Sequence, residues 1–155
     1  MRITHDMTRR AFLAAGFSTA LMPSLASMAE LRDPRLTARP RPPSRAPEVG
    51  LSQIGEEFPR GGILYVPQSY TPTKPAPLMV ALHGSGGSAG SWSLFFAECE
   101  ARAVVLMAPD SRARTWDRVH GDFGPDVGFI DSALRYTFER CAVDPERIAL
   151  VGFSD

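Results

Sequence analysis

Only two cysteines, Cys99 and Cys141, occur in the 155 residues. They make neither a disulfide framework nor a CxxC metal pattern, and both read as buried small apolar residues. Histidine is almost as scarce, with only His5, His83 and His120 to supply imidazole chemistry. The N-terminal apolar run, 11–22, is twelve residues long, short of the roughly 20 that cross a bilayer. A basic stripe is missing as well. From Leu51 onward nine basic residues face thirteen acidic ones, which excludes a phosphate-neutralising surface and with it a nucleic-acid partner. No internal repeat is visible. What remains, 44% hydrophobic and 22% charged, is the composition of a single soluble globular domain.

The formal net charge of zero hides an asymmetry, because residues 1–29 carry Arg2, Arg9 and Arg10 against Asp6 alone. The pair Arg9-Arg10 is followed at once by the apolar run, then by Pro23 and the small residues Ser24, Ala26, Ser27 and Ala29. That is a signal-peptide layout, with cleavage expected after Ala26 or Ala29. It resembles the twin-arginine export signals of bacteria, which implies recognition by export machinery, a periplasmic or extracellular destination, and no stable membrane span after cleavage. The alternative is an uncut N-terminal anchor. No cysteine follows the run to accept a lipid. Residues 30–50 hold Pro34, Pro40, Pro42, Pro43 and Pro47 among five arginines and little to bury, so they read as an extended, solvated linker.

The globular part, 51–155, alternates short apolar runs with segments of helical period, the order expected of an α/β fold. Gly62-Ile63-Leu64-Tyr65-Val66 is β-rich and stopped by Pro67, with residues 51–54 as a preceding hairpin strand. Leu78-Met79-Val80-Ala81-Leu82, Val104-Val105-Leu106-Met107-Ala108 and Ile148-Ala149-Leu150-Val151 lack a polar face, as strands covered on both sides do. Between the first two, Trp92, Phe95, Phe96 and Cys99 mark the stripe of one amphipathic helix over 88–102. Between the last two, Asp126 reads as an N-cap and Val127, Ile130, Leu134 and Phe138 as one helix face ending near Cys141. Asp144-Pro145 makes a turn, with Arg147 as a surface or loop-anchoring partner. The stretch 110–125, with Trp116, Asp117 and His120, is longer than ordinary connections and so invites a functional reading.

Ligand crevices of open α/β sheets lie at the carboxyl ends of strands, and two strand ends here carry polar, glycine-rich sequence. Gly152-Phe153-Ser154-Asp155 matches the start of a GxSxG nucleophile elbow, whose turn lifts a serine hydroxyl above the sheet; the closing glycine would be residue 156. His83-Gly84-Ser85-Gly86-Gly87 lets backbone amides approach a substrate and suits an oxyanion hole. One such donor is typically worth roughly 2.7 to 4 kcal/mol to an acyl-transfer transition state. The donors would be the amides of Ser85 and of Asp155, the residue after the nucleophile. A phosphate-binding turn is the competing reading. The loop has no P-loop lysine, however, and Ala89 stands where GxGxxG needs glycine.

Leu82-His83-Gly84-Ser85-Gly86-Gly87, Ala108-Pro109-Asp110-Ser111-Arg112 and Val143-Asp144-Pro145-Glu146-Arg147-Ile148, leading to Gly152-Phe153-Ser154-Asp155, resemble together the phospholipase/carboxylesterase branch of the α/β-hydrolases. The resemblance covers roughly residues 61–155. It implies the N-terminal, incomplete part of an α/β-hydrolase sheet: hairpin strands followed by parallel strands, with helices on both faces. It further implies a serine ester hydrolase forming an acyl-enzyme, a small-molecule ester as substrate, and no metal or organic cofactor. Ser154 would be the nucleophile, with Ser85 and Asp155 as oxyanion donors. His83 would brace the oxyanion loop at the substrate site, and Trp116 with its loop would border the acyl or alcohol pocket.

A serine nucleophile needs a histidine base oriented by a carboxylate, and in this fold both follow the serine in chain order. Nothing follows Asp155, and none of the three histidines stands at the family's position; His120 is the sole substitute within reach of argument. The expectation is therefore an inactive fragment of an esterase. Its last strand should have an open edge, because the family pairs that strand on both sides. A serine peptidase on the same fold and a non-catalytic binding module are the alternatives. The resemblance implies a sheet order in which the connection before the Val104 strand runs one way and the next runs back, and right-handed crossovers in that order put Cys99 and Cys141 on opposite faces of the sheet.

Overall fold

The structure, a computed structural model, describes residues 35–58, 60–121 and 123–154. The signal-like segment 1–29 and Asp155 lie outside the described residues. Five strands form one mixed sheet in the order β1-β2-β4-β3-β5, with β1 Gly50–Ile54, β2 Gly62–Val66, β3 Ala76–Leu82, β4 Val105–Pro109 and β5 Val143–Gly152. β1, β2 and β4 pair antiparallel; β3 runs parallel to both β4 and β5. This is the hairpin followed by parallel strands that the sequence pattern predicts.

The connection from β3 passes to β4 on one side, and the connection from β4 returns past β3 to β5. Right-handed crossovers then put the two connections on opposite faces. The packing follows strand alternation. One face gathers Leu64, Val66, Leu78, Val80, Val105 and Met107 under helix α2 (Pro125–Arg140), which contributes Ala133, Leu134 and Phe138 and ends beside Cys141. The other face gathers Ile63, Ala81, Leu106 and Ala108 against Trp92 and against Cys99 of helix α1 (Phe96–Arg102). Both cysteines are buried thiols, each in the core of its own face, and burial pushes the Cys141 thiol up to about 12.

Four expectations need correction. The helix over 88–102 is two pieces, a 3-10 stretch Ala89–Phe95 and then α1. In 3-10 geometry side chains three apart eclipse, so Phe95 lies over Trp92 with ring centroids 5.4 Å apart and stays over a third exposed. Asp126 does not cap α2. The cap is Gly124, Pro125 takes the first turn where its missing N–H costs nothing, and Asp126 is buried behind it. β5 has the open edge expected of it, pairing among the described residues with β3 alone, but it is not the buried strand its pattern suggests, since of its ten residues only Val143 is buried. An apolar run encodes a demand for cover on both faces, and the described residues give β5 little of either.

The stretch 35–49 is irregular, as its prolines require, but it is no free tether. Asp131 of α2 accepts hydrogen bonds from the Thr37 and Ala38 backbone N–H groups (2.6 and 2.7 Å) and from the Thr37 hydroxyl (2.9 Å). Farther along, the Ser44 and Arg45 N–H groups reach the Glu139 carbonyl and Arg41 pairs with the Glu139 carboxylate. A buried carboxylate needs such donors. No described helix is long and apolar enough to cross a membrane.

Candidate active site

Leu82 and Gly152 are paired in register on adjacent parallel strands, so the two polar motifs leave the sheet side by side. The Phe153 N–H donates to the Leu82 carbonyl at 3.2 Å and extends the pairing past the strand end. Ser154 then turns into the left-handed region at φ +70°, a conformation that L residues other than Gly and Asn adopt rarely and that costs energy. A sharp turn after a strand is the backbone form of a nucleophile elbow. Ser154 is exposed. Gly84 is what lets the other loop pass so close. A Cβ there would stand 2.9 Å from the Phe153 carbonyl oxygen and 3.0 Å from the Ser154 Cβ.

The glycine loop itself is held from below. His83 is 2% exposed. Its Nδ1 faces the Gly84 carbonyl at 2.8 Å and its Nε2 accepts the Ser111 backbone N–H at 3.0 Å. A carbonyl needs a donor and an N–H needs an acceptor, so the ring is the neutral Nδ1–H tautomer. It is therefore not an ion-pair partner of Asp110, whose Oδ1 lies 3.9 Å away. Trp116 is buried and donates its indole N–H to the His83 carbonyl at 2.7 Å, with the two rings 4.9 Å apart. Gly86, at φ +72°, donates to the Arg114 carbonyl at 2.8 Å, and the Ala89 N–H reaches the Asp110 carboxylate.

Above the loop lies a cavity of about 590 Å³. His83, Gly84, Ser85 and Gly87 form its floor, Trp92, Leu94 and Phe95 one wall, and Val151, Gly152 and Phe153 the other. The lining is mainly apolar, as small-molecule sites are. His83, Ser85 and the residues just before Ser154 thus share one cavity. Trp116 is not among the residues lining this cavity; its indole braces His83 from behind. His120 is exposed on a 3-10 turn, Asp117–His120, away from the cavity lining.

Two residues at the site escape a reading of the sequence alone. Arg60 donates from Nε to the Ser111 carbonyl (2.7 Å) and from Nη2 to the Gly87 carbonyl (3.0 Å). Asp126 accepts the backbone N–H groups of Arg112 and Asp117, the latter at 2.6 Å, while its own N–H donates to the Asp117 carboxylate at 2.8 Å. Burial pushes the Asp126 carboxyl above its ordinary value, against the pull of the two N–H donors. Burial likewise lowers the nearby Arg112 guanidinium, which lies 3.6 Å over the Phe129 ring. Nothing local marks Arg60, which sits in a Gly/Pro-rich turn and reads as surface charge. For Asp126, first-turn position gave the wrong role.

A sheet with antiparallel strands leading into parallel ones and crossovers on both faces is an incomplete α/β-hydrolase fold, and the chain is similar to esterases of that fold. Its relatives are esterases. Feruloyl esterase C of Emericella nidulans is 31% identical over 114 residues, which cover 68% of this chain and 40% of the relative. A probable feruloyl esterase C of Aspergillus oryzae is 29% identical over 115 residues, again 40% of its length. Among solved structures, a thermophilic esterase of Thermogutta terrifontis superposes with a TM-score of 0.50 at 22% identity, over 74% of this chain and 43% of that one. No protein-family model matches. The chain spans about 40% of the length of the curated relatives it matches.

Proposed function

We propose that this chain carries the nucleophile and oxyanion half of a serine carboxylic-ester hydrolase acting on esters of an aromatic or similarly bulky apolar acid. The observation that carries it is Ser154 at φ +70° directly after β5, beside the glycine loop that follows β3. The Ser154 Oγ attacks the ester carbonyl, the carbonyl oxygen takes up the negative charge, and the alkoxide leaves to give the acyl-enzyme. The amides of Ser85 and Asp155 would receive that oxygen. Water then attacks the acyl-enzyme and releases the acid. The apolar walls of Trp92, Leu94, Phe95 and Phe153 would hold the acyl group, and the feruloyl esterase relatives support an aromatic one.

The Ser154 proton needs an acceptor. His83 has both ring nitrogens engaged, and His120 stands apart from the cavity. The 155 residues by themselves are therefore expected not to turn over an aryl ester above background. If downstream sequence exists and is restored, hydrolysis and fluorophosphonate labelling of Ser154 are expected. Ser154→Ala should abolish both, a loss on the order of 10⁴- to 10⁶-fold. An extended form that keeps its activity after Ser154→Ala would refute the nucleophile assignment.

Export is proposed on the paired Arg9-Arg10 ahead of the apolar run. A reporter fused to residues 1–29 should leave a bacterial cytoplasm, and replacing both arginines by lysine should retain it there.

A further inference from the structure

The glycine loop closes on itself through the Gly84 carbonyl, which meets the Gly87 N–H and the His83 Nδ1, and leans on its surroundings for the rest of its shape. Three of its bonds run to a single neighbouring stretch, 110–117: Ser111 N–H to the His83 ring, the Trp116 indole to the His83 carbonyl and Gly86 N–H to the Arg114 carbonyl, and just past the loop the Ala89 N–H reaches the Asp110 carboxylate of the same stretch. The 110–117 stretch is irregular up to the start of its 3-10 turn, and besides a few backbone bonds, such as the Asp110 N–H to the Gly61 carbonyl, side chains fix its geometry. Two do so from opposite ends. Asp126, on the first turn of α2, takes one backbone N–H on each carboxylate oxygen, from Arg112 and from Asp117, and so fixes both flanks of the segment that carries Trp116. Arg60, just before β2, uses two N–H groups of one guanidinium edge to tie the Ser111 carbonyl to the Gly87 carbonyl, joining the stretch directly to the far end of the glycine loop.

We propose that Arg60 and Asp126 are positioning residues of the candidate oxyanion hole: they clamp 110–117 against the glycine loop and so set where the Ser85 amide points. The inference rests on the esterase reading for what the glycine loop does. Neither residue lines the cavity, and neither touches a substrate there. Their chemistry is specific. A guanidinium fork satisfies two carbonyls at once where an ammonium is a point donor, and a carboxylate offers an acceptor on each oxygen where an amide offers one acceptor and sets a donor against the second N–H.

Hydrogen exchange on the full 155-residue chain tests this residue by residue. Arg60→Lys and Asp126→Asn are each expected to speed exchange of the Ser111 and Gly86 amides by roughly tenfold, while amides of the β3–β4 pairing, such as Met107, keep their rates. The His83 ring nitrogens should report the same event, the Nε2 resonance moving as its Ser111 donor loosens. Unchanged Ser111 and Gly86 rates in Arg60→Lys would overturn the proposal. So would an equal rise at every protected amide, which marks a plain loss of stability. Arg60 is a third exposed and its lysine variant is expected to fold, so the test stands even if Asp126→Asn does not. Ser154→Ala should leave the exchange pattern untouched. Failure of the nucleophile assignment therefore shows in probe labelling, and failure of the clamp shows in exchange.

Discussion

Leu82 and Gly152 are neighbours in the sheet, yet the two loops that leave them are built in opposite ways. The glycine loop after Leu82 sits on a buried imidazole, a buried indole and a braced neighbouring stretch. The turn after Gly152 is exposed, and its shape comes from the backbone: one residue at positive φ and one interstrand hydrogen bond. Under the proposed esterase function, the difference would separate the two kinds of preorganisation that acyl transfer needs. Charge stabilisation depends on donors fixed before the reaction, and the braced glycine loop would be the frame for them. Placement of the hydroxyl would depend on a strand end, and among the described residues that strand lies at an edge of the sheet.

The contrast extends to stability and breaks most sharply there. Leu64 of β2 is fully buried, so Leu64→Ala should cost about 2 to 5 kcal/mol through lost burial and a residual cavity. Leu150 of β5 is 72% exposed, and Leu150→Ala should stay within about 0.5 kcal/mol. Urea midpoints measure both. A comparable cost at Leu150 would mean that β5 is covered in solution.

A smaller effect sharpens the contact between the two loops. Gly84→Ala places a methyl 2.9 Å from the Phe153 carbonyl, so the turn carrying Ser154 must shift, at about 1 to 3 kcal/mol. Gly90→Ala meets nothing nearer than the Ser88 hydroxyl at 3.6 Å and should be close to neutral. Equal thermal midpoints for the two variants would mean that the loops are not in contact.

Much of this architecture was legible in the sequence. The three parallel strands stand out as apolar runs, and the separation of Cys99 from Cys141 follows from crossover handedness once the family's sheet order is taken. What escaped depends on partners distant in sequence. The strap 35–49 is fixed by Asp131 and Glu139, each over ninety residues from the groups it holds, and composition reports only its prolines. Arg60 and Asp126 act on backbone atoms, which no side-chain pattern encodes. The exposure of β5 contradicts its own apolar pattern, because a run of Ile, Ala, Leu and Val records the cover a strand asks for, not the cover it has.

The smallest expected effect compares two carboxylates on one helix. Asp126 and Asp131 are both buried near the start and middle of α2, yet they are shifted oppositely. At Asp126 burial prevails and the carboxyl lies above its ordinary value of 3.8. At Asp131 burial also pushes upward, but the Ala38 N–H, the Thr37 hydroxyl and N–H and the Arg135 guanidinium outweigh it, and the group lies below 3.8. The signs of their contributions to folding follow by linkage. A raised carboxyl binds its proton more tightly in the folded chain, so the stability it lends is complete below 3.8 and is lost as pH rises through its folded value. A lowered one lends stability above 3.8 and loses it as pH falls through its folded value. Urea midpoints for wild type, Asp126→Asn and Asp131→Asn across pH 3 to 7 isolate the two groups, because every other titration cancels in the differences. The advantage of wild type over Asp131→Asn should grow with pH, and its advantage over Asp126→Asn should shrink. Parallel slopes would mean that the two sites are equally supplied with donors, and that the strap 35–49 does not hold Asp131 in solution.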